Sequence, residues 1–100
     1  MKTFEEKVWN EIKKIPKGKV STYKMLANAV GKPKAARAVG NACNKNPFSP
    51  KVPCHRVVKS NGRTGGFVKG TKNKILLLKK EGIEIKKGKI LDFEEKLSRF

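Results

Sequence analysis

From Ile12 to Lys80 the chain contains no acidic residue. All eight Asp and Glu side chains fall within residues 5–11 or 81–95, while the acid-free stretch holds fifteen lysines and three arginines. That stretch alone carries a net charge of +18, against +17 for the whole chain. Such a middle disfavours basic partners and is the electrostatic footprint of a polyanion binder. A lysine-rich solubilising surface, as in heat-adapted proteins, would use the same residues. Other scarcities narrow the field further. One histidine and two cysteines, Cys43 and Cys54, are too few for a four-ligand zinc site or a disulfide framework. Glycine-rich phosphate loops are missing, and no metal or organic cofactor is expected. No apolar run nears the ~18 residues of a membrane span, and no basic helix has a bulky apolar face, so no membrane partner is expected. The first residues carry acids where a signal peptide needs apolar side chains, which points to the cytoplasm.

What is present suits one small globular domain over residues 1–100. Thr3 and Glu6 form a capping box for a first helix, whose Phe4, Val8, Ile12 and Ile15 keep helical spacing until Pro16. Trp9 flanks that stripe as packing. Ser21 or Thr22 caps a second helix with Tyr23, Leu26, Ala27 and Val30, ended by Gly31. Pro33 is suited to the first turn of a third helix running to about Cys43, before Asn46-Pro47. The two make a helix-turn-helix over about residues 21–45. Ala35, Val39 and Ala42 pack inward on the third helix, and Lys34, Arg37, Asn41 and Lys45 form its polar face. Ala36, Ala38 and Gly40 keep its surface small, which suits close approach to a partner or tight helix packing.

Three prolines stiffen a loop over about residues 46–58, and Arg56-Val57-Val58 can form a short strand. Ser60-Asn61-Gly62 signals a turn. A last long helix runs from about Thr71 to Gly82, followed by a hairpin of Ile83–Ile85 and Ile90-Leu91 and a terminal helical turn. Within the proline-braced loop, Cys54 stands beside the only histidine, His55, then Arg56. Nearby positive charge or a base makes a thiol a useful nucleophile. From the residues alone, a catalytic Cys54 and a buried structural thiol both remain open, and Cys43 reads as packing.

Pro53-Cys54-His55-Arg56-Val57 resembles the active-site signature of the O6-alkylguanine-DNA alkyltransferases, or methylated-DNA–protein cysteine methyltransferases. Gly18 to Tyr23 resembles the family's approach to its first recognition helix, and Pro33 to Gly40 resembles its second. Asn46-Pro47, Lys74, Leu77-Leu78 and Glu81-Gly82 follow in the family's order. The resemblance covers about residues 4–85 and the catalytic, DNA-binding half of the larger members. It implies a mainly α fold with short β-strands, winged helix-turn-helix-like, acting as a monomer on duplex DNA in the cytoplasm or on the nucleoid.

The same resemblance implies the chemistry. Cys54 takes an alkyl group from guanine O6 (or thymine O4) once and irreversibly, with His55 as base through a water, Glu81 supporting His55 and Asn46 bracing the turn. Arg37 fills the space left by the flipped nucleotide and Tyr23 crowds its phosphate. Ser21, Thr22, Lys34, Ala35, Ala36, Ala38, Gly40 and Asn41 belong to the DNA-binding set. The helix enters the minor groove, which at ~6 Å admits only a small-residue surface. Val52, Pro53, Gly65, Gly66, Phe67 and Val68 line the base pocket, Val68 standing where some members have a polar residue. Two other classes remain: a non-catalytic lesion binder like the alkyltransferase-like proteins, which lack the reactive cysteine, and a helix-turn-helix transcription regulator.

Overall fold

A computed structural model describes residues 3–48, 51–65 and 70–98. Helix α1 (Phe4–Ile12) begins at a reciprocal cap: Glu6 N–H donates to Thr3 Oγ1 at 3.1 Å, and Glu6 Oε1 accepts from Thr3 N–H at 3.4 Å. Caps of this kind are worth about 1 kcal/mol. Val8, Ile12 and, just beyond the helix, Ile15 are buried together. Trp9 is half-buried against them and donates its Nε1–H to Ala42 O at 2.9 Å, tying α1 to the third helix.

Of the two candidate caps of α2 (Tyr23–Ala29), Thr22 does the work, accepting the Met25 N–H at 3.0 Å. Gly31 takes the left-handed conformation (φ 77°) just after the helix, where a Cβ would be strained. Helix α3 (Ala36–Asn44) starts later than its proline suggests. Pro33 lies in a turn closed by Ala35 N–H on Lys32 O at 2.9 Å, so it precedes the helix rather than opening it. Lys45 caps the other end. Val39 and Ala42 face the core, Ala35 is half-buried, and Lys34, Arg37, Asn41 and Lys45 are exposed, as the spacing predicts.

Strand β1 (Ser21–Thr22) pairs in parallel with β2 (Val57–Val58), Ser21 opposite Val57 and Thr22 opposite Val58. Alternation along β2 sends its two valines to different places. Val57 joins the cluster of α1, α2 and α3, while Val58 joins a second one with Val20, Leu78, Ile83 and Ile90. The strand pair is therefore the seam between two small cores. Helix α4 (Thr71–Lys80) buries Leu78 in the second core and leaves Leu76 exposed. Strands β3 (Ile85–Lys86) and β4 (Lys89–Ile90) form the expected antiparallel hairpin. Helix α5 (Phe93–Lys96) closes the chain, and Val20 and Leu97 make a parallel bridge beside it. The result is mainly helical with short strands.

Candidate active site

The residue pairing at the seam places the turn that carries Cys54 immediately before β2. Pro53 (φ −80°, ψ 69°) forms an inverse γ-turn in which Cys54 N–H reaches Val52 O at 2.8 Å, and proline's fixed φ suits that geometry. A single 3-10 turn over Cys54–Arg56 follows, with Arg56 N–H on Pro53 O at 2.9 Å. Cys54 and His55 are each 2% exposed.

Asn46 organises the loop from below. Its Nδ2 donates to Val52 O at 2.8 Å and to Cys54 Sγ at 3.2 Å, and its Oδ1 accepts the Phe48 N–H at 2.8 Å. Removing these contacts strands buried polar groups, at about 1–3 kcal/mol apiece. Asn46→Ala is accordingly expected to lose about 2–3 kcal/mol in urea unfolding and to slow thiol alkylation of Cys54. Unchanged values for both would leave Asn46 without a role in the loop.

Electrostatics favour ionisation of Cys54. The Cys43 thiol, acting as hydrogen-bond donor to the Cys54 sulfur, is the largest influence holding the Cys54 thiol below its ordinary pKa. The Asn46 amide and the Lys74 cation push the same way, against burial. Cys43 is driven far up, first by that hydrogen bond and then by burial, so it keeps its proton. Charge in this pair therefore settles on Cys54.

His55 Nε2 lies 3.1 Å from Glu81 Oε1, at ion-pair distance but off the axis of an aligned hydrogen bond. Its buried Nδ1 meets no hydrogen-bond partner among the described residues. Burial chiefly, outweighing the raising effect of Glu81, holds His55 below its usual pKa, so the ring is neutral at pH 7 and free to take a proton. Burial alone would raise the Glu81 carboxyl, but Arg56 and His55 outweigh it and keep it ionised. Arg56 clamps that carboxylate with both arms, Nε to Oε1 at 3.0 Å and Nη2 to Oε2 at 2.6 Å, and sends Nη1 to Ile15 O at 2.8 Å. The loop and the end of α4 thus meet in space.

Lys74 was legible only as a match to the last helix, yet it is wholly buried. Its Nζ sits 3.4 Å from the Tyr23 hydroxyl and 5.7 Å from the ring centroid. Burial lowers its pKa to about 8 in spite of both cysteines, and burial followed by the two cysteines raises the Tyr23 hydroxyl to about 12. Gly65 (φ 73°) packs close by, since a Cβ there would stand 3.5 Å from Tyr23 Oη.

Above this cluster, Tyr23, Ala36, Arg37, Gly40, Asn41 and Lys59 line an open groove of about 710 Å³. Lys34 is exposed in the turn before α3, while Ala35 at its N-cap and Ala38 within it are half-buried. Ser21 and Thr22, expected in the DNA-binding set, are both buried. They are 0% and 4% exposed because β1 pairs inside the seam, and the Thr22 hydroxyl is spent on the α2 cap. Of the expected pocket, Val52 and Pro53 are buried beside Cys54, and Gly66, Phe67 and Val68 lie outside the described residues. Sequence reasoning missed Arg56, Lys74 and Cys43 as parts of the site. Only Arg56 carried a local signal, its place next to His55.

A thiol held below its ordinary pKa beneath a basic, small-residue helix defines a small helical module built around a buried cysteine. The chain matches the family model for the 6-O-methylguanine DNA methyltransferase DNA-binding domain over residues 3–83, and it belongs to that family. It is 49% identical over 79 residues to the methylated-DNA–protein-cysteine methyltransferase of Methanosarcina acetivorans, covering 79% of this chain and 51% of that protein. It spans about half the length of that relative. Mycobacterium tuberculosis OGT in complex with DNA superposes with a TM-score of 0.79 at 39% identity, over 82% of this chain and 50% of that one. Schizosaccharomyces pombe Atl1, solved with damaged DNA containing O6-carboxymethylguanine, gives a TM-score of 0.88 at 34% identity and 100% coverage of both chains.

Proposed function

We propose that this protein repairs duplex DNA by moving an alkyl group from guanine O6 to Cys54. The observation that carries the reading is the Cys54 sulfur itself, held at 3.2 Å by Asn46 in a cluster that favours its thiolate. The sulfur attacks the alkyl carbon, a C–S bond forms, and the C–O6 bond breaks with its electrons left on guanine. The thiol proton passes to neutral His55, whose open Nδ1 suits a bridging water, and Glu81 supports the imidazolium that results. Because a thioether does not leave, each molecule reacts once. No step in this scheme calls on a metal or an organic cofactor.

The target base is shielded within its stack and has to rotate out. Arg37, exposed on α3 at the edge of the groove, fills the gap, while Tyr23 crowds the neighbouring phosphate. Ala36, Ala38 and Gly40 let the helix backbone enter the minor groove, and Lys34 and Asn41 meet phosphates. Domain-wise, the 21–45 segment binds DNA and the 46–58 loop carries the chemistry. The direct test is mass spectrometry after incubation with an O6-methylguanine duplex: one methyl group appears on the peptide containing Cys54. Arg37→Ala is expected to slow transfer from duplex about ten- to a hundredfold and transfer from single strands much less. Equal losses on both substrates would remove Arg37 from base extrusion.

A second reading rests on the likeness to Atl1. The TM-score of 0.88 with that protein, solved with alkylated DNA, suits a lesion binder that recognises alkylguanine without accepting it. Lesion-selective binding with no mass gain on Cys54 would favour that reading over transfer.

A further inference from the structure

We propose that the β3–β4 hairpin is a second contact to duplex DNA, in which Lys86, Lys87 and Lys89 take backbone phosphates beside those under α3. The inference rests on the DNA-binding part of the proposed function and extends it to residues beyond the 3–83 family match. Local physics disfavours this hairpin as it is written. Lys86 and Lys89 are directly opposite each other across the two strands, and like charges so placed repel. Lys87 adopts φ 52°, a left-handed turn position that asparagine or glycine fills with less strain. All three lysines are exposed, and none forms an ion pair among the described residues. Ile85 and Ile90 already anchor the hairpin to the second core, so packing does not ask for the lysines. Locally unfavourable choices concentrated in four residues are the mark of a site kept for binding.

Connectivity puts that charge beside the groove. Lys59 and Ser60 line the groove, and the turn they begin closes with Lys59 N–H on Arg63 O at 2.9 Å. The far side of the same turn is laddered to the hairpin. Ile90 N–H donates to Gly62 O at 2.9 Å, Thr64 N–H donates to Gly88 O at 3.1 Å, and Arg63 bridges Lys89. One strand spacing therefore separates Arg63 from Lys89, and Lys59, Arg63 and the three hairpin lysines make a continuous cationic edge. A phosphate backbone leaving the α3 groove meets that edge.

The experiment measures affinity for an unmodified duplex of about two helical turns against salt concentration, with thermal melting alongside. The triple variant Lys86→Gln, Lys87→Gln, Lys89→Gln is expected to bind about ten- to thirtyfold more weakly at low salt, with the log–log slope shallower by about 2–3. Lys7→Gln, Lys13→Gln, Lys14→Gln, on α1 and the turn that follows it, removes the same charge and is expected to change the slope by less than half as much. Lys87→Gly is expected to melt higher, because the strain is relieved, and to bind about two- to fourfold more weakly. A hairpin variant with the wild-type slope, or an α1 variant that loses as much, overturns the proposal. Methyl uptake by the wild-type chain is read separately, so failure of alkyl transfer is told apart from failure of the hairpin contact.

Discussion

Cys54→Ala is expected to take up no methyl group from an O6-methylguanine duplex and still to bind that duplex within about threefold of wild type. The separation follows from where the sulfur sits. Its side chain is buried beneath the loop, whereas the groove-lining residues of α3 are on the surface, so the alanine removes the acceptor without touching the docking face. Cys54→Ser is the sharper variant. A serine oxygen can accept the same Asn46 hydrogen bond, but its proton is not lost near neutral pH, and the rate is expected to fall by at least about a thousandfold. Cys43 cannot take over, because its own thiol is held protonated by the arrangement that ionises Cys54. With a simple alkylating probe, the wild-type thiol should titrate below the ~8.5 of a free cysteine. Methyl uptake by the alanine variant, or a Cys54 titration at or above the free value, would refute the mechanism.

Legibility in the sequence tracked the range of the forces involved. The α1 capping box and the Gly31 stop are set within three or four residues, and both were readable. The Ser21–Thr22 pairing with Val57–Val58 joins segments far apart in sequence and only two residues long, too short for any alternation to register. That same pairing pulled Ser21 and Thr22 inside, so two candidate DNA contacts became core. Pro33 misled for a local reason, since a turn ahead of the helix satisfies its geometry as well as a first helical turn does. At the site, the Cys54-His55 pair and Glu81 were legible through motif resemblance, yet their union depends on the loop packing on α4. Arg56 completes it by bonding to Glu81 and to Ile15, and neither partner is near it in the chain. Lys74 was hidden by habit of composition. One lysine among twenty-one gives no sign of being the buried one, because burial is a property of the assembled cores.

That buried lysine yields the other large expected effect. Lys74→Met should make the protein more stable and less reactive at once. The amine has no exposed surface, and burial takes its pKa from 10.5 to about 8. At about 1.36 kcal/mol per pH unit, the folded state gives up about 3 kcal/mol at pH 7 to hold that charge. The penalty is fully present below about pH 8, where the lysine is protonated both folded and unfolded. Between 8 and 10.5 the unfolded chain binds the extra proton, so wild-type stability recovers as pH rises. Methionine fills a similar volume without a charge, so the variant's advantage should be about 2–3 kcal/mol at pH 7 and should shrink toward zero by pH 10.5. The same substitution deletes a cation that lowers the Cys54 pKa, and methyl transfer at pH 7 should slow about tenfold, with partial recovery at higher pH. Denaturant unfolding across pH and single-turnover transfer give the two readouts. A variant that is destabilised at pH 7 would mean the amine stabilises the fold, and one that transfers at the wild-type rate would mean Cys54 does not depend on it. Stability sacrificed for a thiolate predicts movement in both quantities, in opposite directions.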